Sequence, residues 1–204
     1  MTGRPTVKRK KPEGTTARLF SFRFFHRTVC FSMAFLYPRY RADSVTDLTA
    51  ERLARLGIRA LLLDVDCTLK RYTRPLPERE VLDWLDSMRR EGIFLCLLSN
   101  GKGPRIAETA KKLDLPYIAL ALKPLPRGCR RALAEHNLKS GQTAMVGDQL
   151  LADIVAGNLA GLTTVLVTPI HPEEEHLYTR IKRPFEKLFL LFRKAPKITA
   201  VDSE

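Results

Sequence analysis

Five short apolar segments, each followed by a segment with helical periodicity, are the feature that most constrains the fold of this chain. The apolar segments are IRALLLDV, IFLCLL, YIALAL, TAMVG and TTVLVT, and the segments between them include the amphipathic stretch PEREVLDWLDSMRREG. Apolar strands that alternate with helices are typical of a parallel sheet covered on both faces. We therefore predict an α/β, Rossmann-like fold with a parallel sheet of about five strands. An earlier helix is predicted over DSVTDLTAERLARLG, with Ser44 or Asp47 near its start.

The net charge of +13 is concentrated at the two ends of the 204-residue chain. Residues 1–42 contain ten Lys/Arg and one acid, residues 43–175 contain 18 of each, and residues 176–204 contain seven against three. This distribution predicts a neutral globular domain with basic arms that favour anionic partners. We place a basic N-terminal extension at 1–32, the domain at 33–178, and a basic C-terminal helix and tail at 179–204.

Both arms combine basic with aromatic residues, and each has two interpretations. Residues 18–40 either lie on an anionic bilayer or form an upstream extension, with Met33 as an alternative start. The helix predicted over residues 181–194 either packs on the sheet or docks on lipid.

The apolar run from Val29 to Tyr37 is too short to span a membrane, which needs about 20 residues. With four cysteines but no C-x-x-C spacing, a reducing compartment is expected. We predict a cytoplasmic protein, with peripheral contact with the inner face of a membrane as an option.

Paired acidic residues follow the first predicted strand. Asp64 and Asp66 lie two positions apart, so on an extended segment both side chains point the same way. In parallel sheets, ligands bind at the carboxyl ends of strands. Two close carboxylates repel each other unless a cation lies between them, and Mg²⁺ accepts such oxygen ligands readily. The pair therefore indicates half of a metal and phosphate site.

Polar residues also follow the next three predicted strands. Ser99 and Asn100 offer a hydroxyl and an amide to phosphate oxygens, and Lys123 can neutralise a phosphoryl oxygen. Asp148 follows the fourth strand directly and can reach a metal, and Asp153 lies five residues later. Each feature alone is common in turns, but the ordered set of acid pair, hydroxyl, lysine and acid is specific.

The segments DVDCT, LLSN, LK and GDQLLAD resemble, in order, the four motifs of the haloacid dehalogenase (HAD) superfamily of phosphohydrolases. The resemblance covers roughly residues 60–170. The run from FLYPRY to about residue 183 is similar to the YqeG-like branch of subfamily IIIA. The broader group also contains a mitochondrial phosphatidylglycerophosphate phosphatase. The resemblance implies a HAD-like fold and a phosphatase activity.

The resemblance also implies a role for each motif residue. Asp64 would be the nucleophile that forms an aspartyl-phosphate, and Asp66 would protonate the leaving alcohol and later activate water. Asp64, the backbone carbonyl of Asp66, and Asp148 would hold Mg²⁺. Ser99, Asn100 and Lys123 would bind the transferring phosphoryl group. Thr68 would brace the first loop, and Asp153 would either orient Lys123 or support the metal.

Two features near the first motif depart from the usual pattern. Position 67 is Cys where Gly or Asn is more usual, and we expect it to act as a small packing residue. The following segment, KRYTR, places Lys70, Arg71 and Arg74 in a flap. These three side chains either lie in a solvated loop or recognise a second anionic group on the substrate.

The spacing of the motifs leaves no room for a cap domain. About 30 residues separate Thr68 from Ser99, enough for a flap, one helix and one strand. An open site suits a large or surface-borne substrate, or one closed by a partner subunit. We therefore predict a Mg²⁺-dependent phosphomonoester hydrolase that acts on a phospholipid head group, phosphatidylglycerophosphate. The alternatives are a phosphatase for protein or nucleic-acid phosphate ends, and a non-catalytic binding module. A degenerate module would be expected to lack a motif residue, and none is missing.

Overall fold

The computed structural model of the protein describes residues 34–174, 184 and 195–203. The predicted extension over residues 1–32 lies outside the described residues, and so does the predicted helix over 181–194 apart from residue 184. In the ranges that are described, none of the helices has the length and apolarity needed to cross a membrane.

A six-stranded, wholly parallel sheet forms the centre of the domain. The strands are β1 (Tyr40–Ala42), β2 (Ala60–Leu63), β3 (Phe94–Leu98), β4 (Tyr117–Ile118), β5 (Thr143–Gly147) and β6 (Thr163–Val167). They lie in the order β1-β6-β5-β2-β3-β4. The predicted α/β fold with a parallel sheet is confirmed, and β1 is an additional edge strand. A strand of three residues with one buried side chain carries too little periodicity to be recognised in a sequence.

Within the described ranges, five α-helices cover the two faces of the sheet: α1 (Ala50–Arg55), α2 (Arg79–Arg90), α3 (Gly103–Leu113), α4 (Arg127–Glu135) and α5 (Val155–Leu159). Successive residues of a strand face opposite sides, and the two main hydrophobic clusters divide in this way, with Leu61 and Leu63 in one and Leu62 in the other. The first cluster includes residues of α1, α2 and α3, and the second includes residues of α4 and α5. A π-helical turn, Leu150–Ile154, leads into α5.

The first predicted helix is divided into two elements. Ser44 caps a 3₁₀ turn, Val45–Asp47, and its side chain and that of Asp47 form a reciprocal capping box. Thr49 then caps α1 by accepting a hydrogen bond from the Arg52 N–H at 3.3 Å. The prediction of one helix with Ser44 or Asp47 near its start was therefore wrong for the α-helix, because Ser44 begins the 3₁₀ turn and Thr49 begins the α-helix. Two capping side chains five residues apart favour two separate starts over one continuous helix.

The third predicted strand, YIALAL, is also shorter than expected. Only Tyr117–Ile118 pairs with β3, because Leu120 and Leu122 adopt left-handed backbone angles with φ of 50° and 57°. The N–H of Ala121 donates instead to the carbonyl of Ser99 at 3.0 Å. The chain thus turns across the end of β3 before it reaches Lys123.

Residues 195–203 pack against the first strand and the first helix. Lys197 forms a parallel bridge with Arg41, and the Arg41 N–H donates to the carbonyl of Pro196 at 2.9 Å. In the 3₁₀ segment Ile198–Ser203, Ile198 is fully buried and Asp202 pairs with Arg52 at 2.5 Å. This part of the C-terminal region contributes to the core, while the boundary at residue 179 stays a prediction.

Candidate active site

The carboxyl ends of β2, β3 and β5 and the loop after β4 meet at one edge of the sheet, where they bring the predicted site residues together. A pocket of about 110 Å³ lies at this edge. Thr68 and Asp148 lie beside it, joined by a hydrogen bond from Thr68 Oγ1 to Asp148 Oδ1 at 2.8 Å. The predicted residues that line the pocket are Asp64, Asp66, Ser99, Asn100, Lys123 and Asp153.

Lys123 forms the centre of a buried ionic group. Its Nζ lies 2.5 Å from Asp64 Oδ1 and 2.7 Å from Asp153 Oδ1, and it donates to the carbonyl of Leu98 at 2.9 Å. All three charged side chains are buried, with exposed fractions of 8% or less. The lysine thus reaches back from the loop after β4 to the residue that follows β2.

Burial and the neighbouring charges shift the pKa values of both partners. Burial raises the pKa of the Asp64 carboxyl well above its usual range, and the carboxylates of Asp153 and Asp148 raise it further against the opposing effect of Lys123. Burial acts to lower the pKa of Lys123, but the carboxylates of Asp153 and Asp64 outweigh it and raise that pKa above its ordinary value. The lysine is therefore charged, and the acidic groups outnumber it.

Three carboxylates form a group that could hold a metal ion. Asp64, Asp148 and Asp153 each offer an oxygen, and these oxygens lie within 4.8 Å of one another. Asp153 Oδ1 makes no aligned hydrogen bond, although the Lys123 ammonium is close to it. Three buried oxygen donors with an excess of negative charge fit a hard divalent cation. The set includes Asp64 and Asp148 as predicted and brings Asp153 near the same point, while coordination by the Asp66 carbonyl stays a prediction.

Asp66 has surroundings opposite to those of Asp64. Its carboxylate accepts hydrogen bonds from Lys70 Nζ at 2.9 Å and from both terminal nitrogens of Arg105, at 3.0 and 2.5 Å. Burial acts to raise the pKa of Asp66, but the hydrogen bonds from Arg105 and Lys70 outweigh it and lower that pKa. The Arg105 guanidinium also stacks 5.6 Å from the ring centre of Tyr72.

Comparison with known proteins places this site in a family. A family model described as "HAD-hyrolase-like" matches residues 121–184. Probable phosphatase YqeG from Bacillus subtilis (strain 168) is 30% identical over 156 residues, which cover 76% of this chain and 90% of the relative. The chain belongs to the YqeG family of HAD-like phosphatases. The YqeG-family protein is therefore a phosphatase, as its sequence motifs indicated.

Solved structures of other phosphatases are similar to the YqeG-family protein at the level of the fold. The cobalt-bound deoxy-D-mannose-octulosonate 8-phosphate phosphatase from Haemophilus influenzae is 16% identical, with 67% of this chain and 90% of that chain covered and a TM-score of 0.43. The enzyme from Moraxella catarrhalis, in complex with magnesium ion, phosphate ion and KDO, is 20% identical, with 75% and 95% covered and a TM-score of 0.43.

The loop after β3 supplies polar groups of two kinds to this YqeG-family site. Ser99 Oγ accepts the N–H of Gly101 at 3.0 Å, so its own proton can be donated into the pocket. The amide of Asn100 pairs with the backbone of Lys123 in both directions, at 2.8 and 2.9 Å. Asn100 therefore positions the lysine loop, and direct contact between Asn100 and phosphate stays a prediction.

Gly147 allows Asp153 to reach the pocket. A Cβ at position 147 would lie 2.3 Å from Asp153 Cγ, which is closer than real Cβ atoms come to other atoms. Asp153 Oδ2 accepts the N–H of Gln149 at 3.0 Å, which fixes its orientation. The G-D pair at the end of β5 thus contributes to the site in two ways. Gly147 makes room for the side chain of Asp153, and Asp148 supplies a carboxylate of its own.

The segment after Asp66 is more tightly held than a solvated loop. Cys67 is buried and has a φ of 63°, a left-handed angle that Gly and Asn adopt more easily. Lys70 is buried against Asp66 and also donates to the carbonyl of Arg74 at 2.9 Å. Arg71 forms an ion pair with Glu174. Lys70 is therefore not solvated, and the exposed basic group bound to Asp66 is Arg105, which the sequence did not indicate.

Proposed function

We propose that the protein is a Mg²⁺-dependent phosphomonoester hydrolase that works through an aspartyl-phosphate at Asp64. The observation that supports this most is the contact between Asp64 Oδ1 and Lys123 Nζ beside two further carboxylates. Bound Mg²⁺ would neutralise charge on the carboxylates and on the phosphoryl oxygens. The residues that would hold it are Asp64, Asp148 and Asp153, with the Asp66 carbonyl as a further ligand.

Asp64 and Asp66 divide the chemistry between them. An oxygen of Asp64 attacks phosphorus, and the bond from phosphorus to the leaving alcohol breaks. Asp66 gives a proton to that alcohol and then takes one from the water that attacks the aspartyl-phosphate, which releases inorganic phosphate and restores Asp64. Lys123 and the Ser99 hydroxyl stabilise the phosphoryl oxygens, and Thr68 keeps Asp148 in place.

The substrate that we propose is the phosphomonoester of phosphatidylglycerophosphate. The pocket of about 110 Å³ is well below the roughly 300–1,000 Å³ that encloses a whole small ligand, so the alcohol stays outside. Residues 68–99 and 99–123, described without a gap, contain one helix and one strand each, with no cap domain. An open site of this kind can take a head group that remains in a bilayer. We infer a cytoplasmic protein in peripheral contact with the inner face of a membrane.

Phosphate release from phosphatidylglycerophosphate in mixed micelles tests the proposal. The full-length protein should release phosphate with Mg²⁺, lose this activity with a chelator and regain it when Mg²⁺ is returned. Asp64→Asn is the background control. A soluble alkyl phosphomonoester and an RNA with a 5′-phosphate serve as rival substrates. Turnover of either rival with no lipid hydrolysis above the Asp64→Asn background would end the lipid proposal and leave the phosphatase intact.

A further inference from the structure

Three leucines are exposed on the loop that carries Lys123. Leu120, Leu122 and Leu125 have exposed fractions of 60%, 48% and 56%, whereas Lys123 between them is 8% exposed and reaches Asp64. We name residues 120–125 the leucine loop. Scattered exposed leucines need no explanation, but three within six residues at the edge of the catalytic pocket form a local apolar surface.

The backbone holds these leucines outward. Leu120 and Leu122 have φ angles of 50° and 57°, a conformation that a side chain with a Cβ avoids. Hydrogen bonds fix the loop in this shape, from the Leu120 N–H to the Gly101 carbonyl at 3.3 Å and from the Leu125 N–H to the Leu122 carbonyl at 2.9 Å. Ala121 between the two leucines is buried. The exposed position of the leucines is therefore imposed by an ordered loop.

The charge around the leucine loop indicates what covers it. Residues 117–131 contain no acidic residue, and besides the buried Lys123 they contain three exposed basic residues, Arg127, Arg130 and Arg131. Lys102, on the neighbouring loop after β3, is exposed as well. A second copy of this chain would bring the same positive charges together. A surface with an apolar interior and a negative boundary, as in an anionic bilayer, matches both features.

We propose that the leucine loop inserts into the head-group region of an anionic bilayer and turns the catalytic pocket towards the lipid surface. Leu122 and Leu125 flank Lys123, so insertion brings the Asp64 pocket to the depth at which lipid phosphates lie. The basic residues beside the loop contact the anionic head groups. This docking surface deepens the proposed function, because it presents a lipid-borne phosphomonoester to a site without a cap.

Vesicle sedimentation with the full-length protein tests the docking surface. The vesicles are phosphatidylcholine with and without phosphatidylglycerol. The triple variant Leu120→Asn/Leu122→Asn/Leu125→Asn removes the apolar groups, and asparagine accepts left-handed backbone angles better than leucine does. We expect binding to anionic vesicles to weaken at least about tenfold. Leu159→Asn, at a 43% exposed leucine on α5, is the matched control and should bind as the wild type does.

Turnover of a soluble phosphomonoester separates docking from folding and chemistry. The triple variant should keep this activity while its turnover of vesicle-borne phosphatidylglycerophosphate falls about as much as its binding. Unchanged binding of the triple variant to anionic vesicles would overturn the docking surface. A loss of self-association in the triple variant would overturn it as well, because the leucines would then contact a second copy of the chain. If the wild type binds vesicles through these leucines but does not hydrolyse the lipid, the substrate proposal fails and the docking surface stands.

Discussion

Asp64 and Asp66 are two residues apart but lie in regions of opposite charge balance. The inner cluster, formed by Asp64, Asp148, Asp153 and Lys123, sets three carboxylates against one ammonium. The rim, formed by Asp66, Lys70 and Arg105, sets one carboxylate against two bases. Burial chiefly raises the pKa of Asp64, while Arg105 and Lys70 lower the pKa of Asp66 despite its partial burial.

The difference in charge balance suggests that the inner cluster and the rim bind different partners. Excess negative charge in a buried cluster attracts a cation, whereas excess positive charge at a partly exposed rim attracts an anion. The proposed reaction needs both, since a divalent ion and a phosphate ester would meet at Asp64. Substitutions that remove a charge from one region and leave the other intact therefore separate metal binding from substrate recognition.

The largest effect is expected from Asp64→Asn. It removes the proposed nucleophile and one metal ligand, so the turnover should fall by at least about 10³-fold. Asp66→Asn should also lower turnover, by about 10²–10⁴-fold, but its side chain faces the bases of the rim and not the inner cluster. Calorimetric titration with Mg²⁺ distinguishes the two. Equal loss of metal affinity in both variants would contradict the separation of the two regions.

Gly147→Ala should disturb the inner cluster without removing a charge. The added Cβ would lie 2.3 Å from Asp153 Cγ, so Asp153 must move away from Lys123. A displacement of about 1 Å in a catalytic site can cost about 10²-fold in rate, and we expect a loss of this size in turnover. Gly141→Ala is the matched control, because its Cβ would meet nothing within 4 Å. Equal activity of Gly147→Ala and the wild type would contradict the expectation that turnover depends on the exact position of Asp153.

Thr68→Val should weaken the metal site through Asp148 alone. The variant removes the 2.8 Å hydrogen bond to Asp148 Oδ1 and nearly keeps the volume of the side chain. Loss of such a supporting hydrogen bond typically costs about 10–100-fold in metal affinity. The Mg²⁺ concentration that gives half-maximal activity should rise accordingly, and Thr68→Ser should restore it. A lower turnover at saturating Mg²⁺ with unchanged affinity would argue against this role for Thr68.

Arg105→Gln should weaken substrate recognition at the rim. The guanidinium uses both terminal nitrogens to bind Asp66 yet remains 43% exposed, so it can also meet an anion beside the ester. We expect KM for phosphatidylglycerophosphate, whose alcohol carries a phosphodiester, to rise about tenfold. KM for a soluble ester without a second anion should change less, and Arg105→Lys should be intermediate. An equal increase for both esters would mean that Arg105 acts only by holding Asp66.

The inner cluster was predictable from the sequence, and the rim was not. Asp64, Lys123 and Asp148 each follow a predicted apolar strand and Asp153 lies five residues after Asp148, and parallel strands bring such positions to one edge. Arg105 lies in α3, 39 residues from Asp66, in a stretch without a motif. The sequence predicted Lys70, Arg71 and Arg74 as the basic groups of the flap. Pairing between a helix residue and a distant loop depends on tertiary structure, which local patterns do not encode.

The loop after β4 shows a second limit of sequence interpretation. The apolar run YIALAL has the composition of a buried strand, but Leu120 and Leu122 break it with left-handed angles. Leucine rarely adopts that conformation, so residue type predicted extended backbone. Similarly, the pairing of the Asn100 amide with the backbone of Lys123 was not predicted from the sequence, and its contact with phosphate stays a prediction. In both cases tertiary hydrogen bonds determine the result.

The smallest expected effect concerns Glu174, which holds the flap beside the rim. Its carboxylate accepts hydrogen bonds from Arg71 and Thr73, and these lower its pKa from 4.5 to about 2. Because the pKa is depressed in the folded protein, the tether is fully present above pH 4.5 and is lost as the pH falls towards about 2.

Hydrogen exchange at the Arg74 amide, which donates to the Arg71 carbonyl at 3.2 Å, reports on the flap. In the wild type its protection should decrease only within the window between about pH 4.5 and pH 2. In Glu174→Gln it should be a few-fold weaker already at neutral pH, because a neutral amide cannot form the ion pair with Arg71. Metal affinity should not change, since Glu174 does not contact the inner cluster. If protection of the flap is the same in both proteins at neutral pH, the ion pair does not hold the flap, and its other hydrogen bonds, such as that from Lys70 to the carbonyl of Arg74, are sufficient.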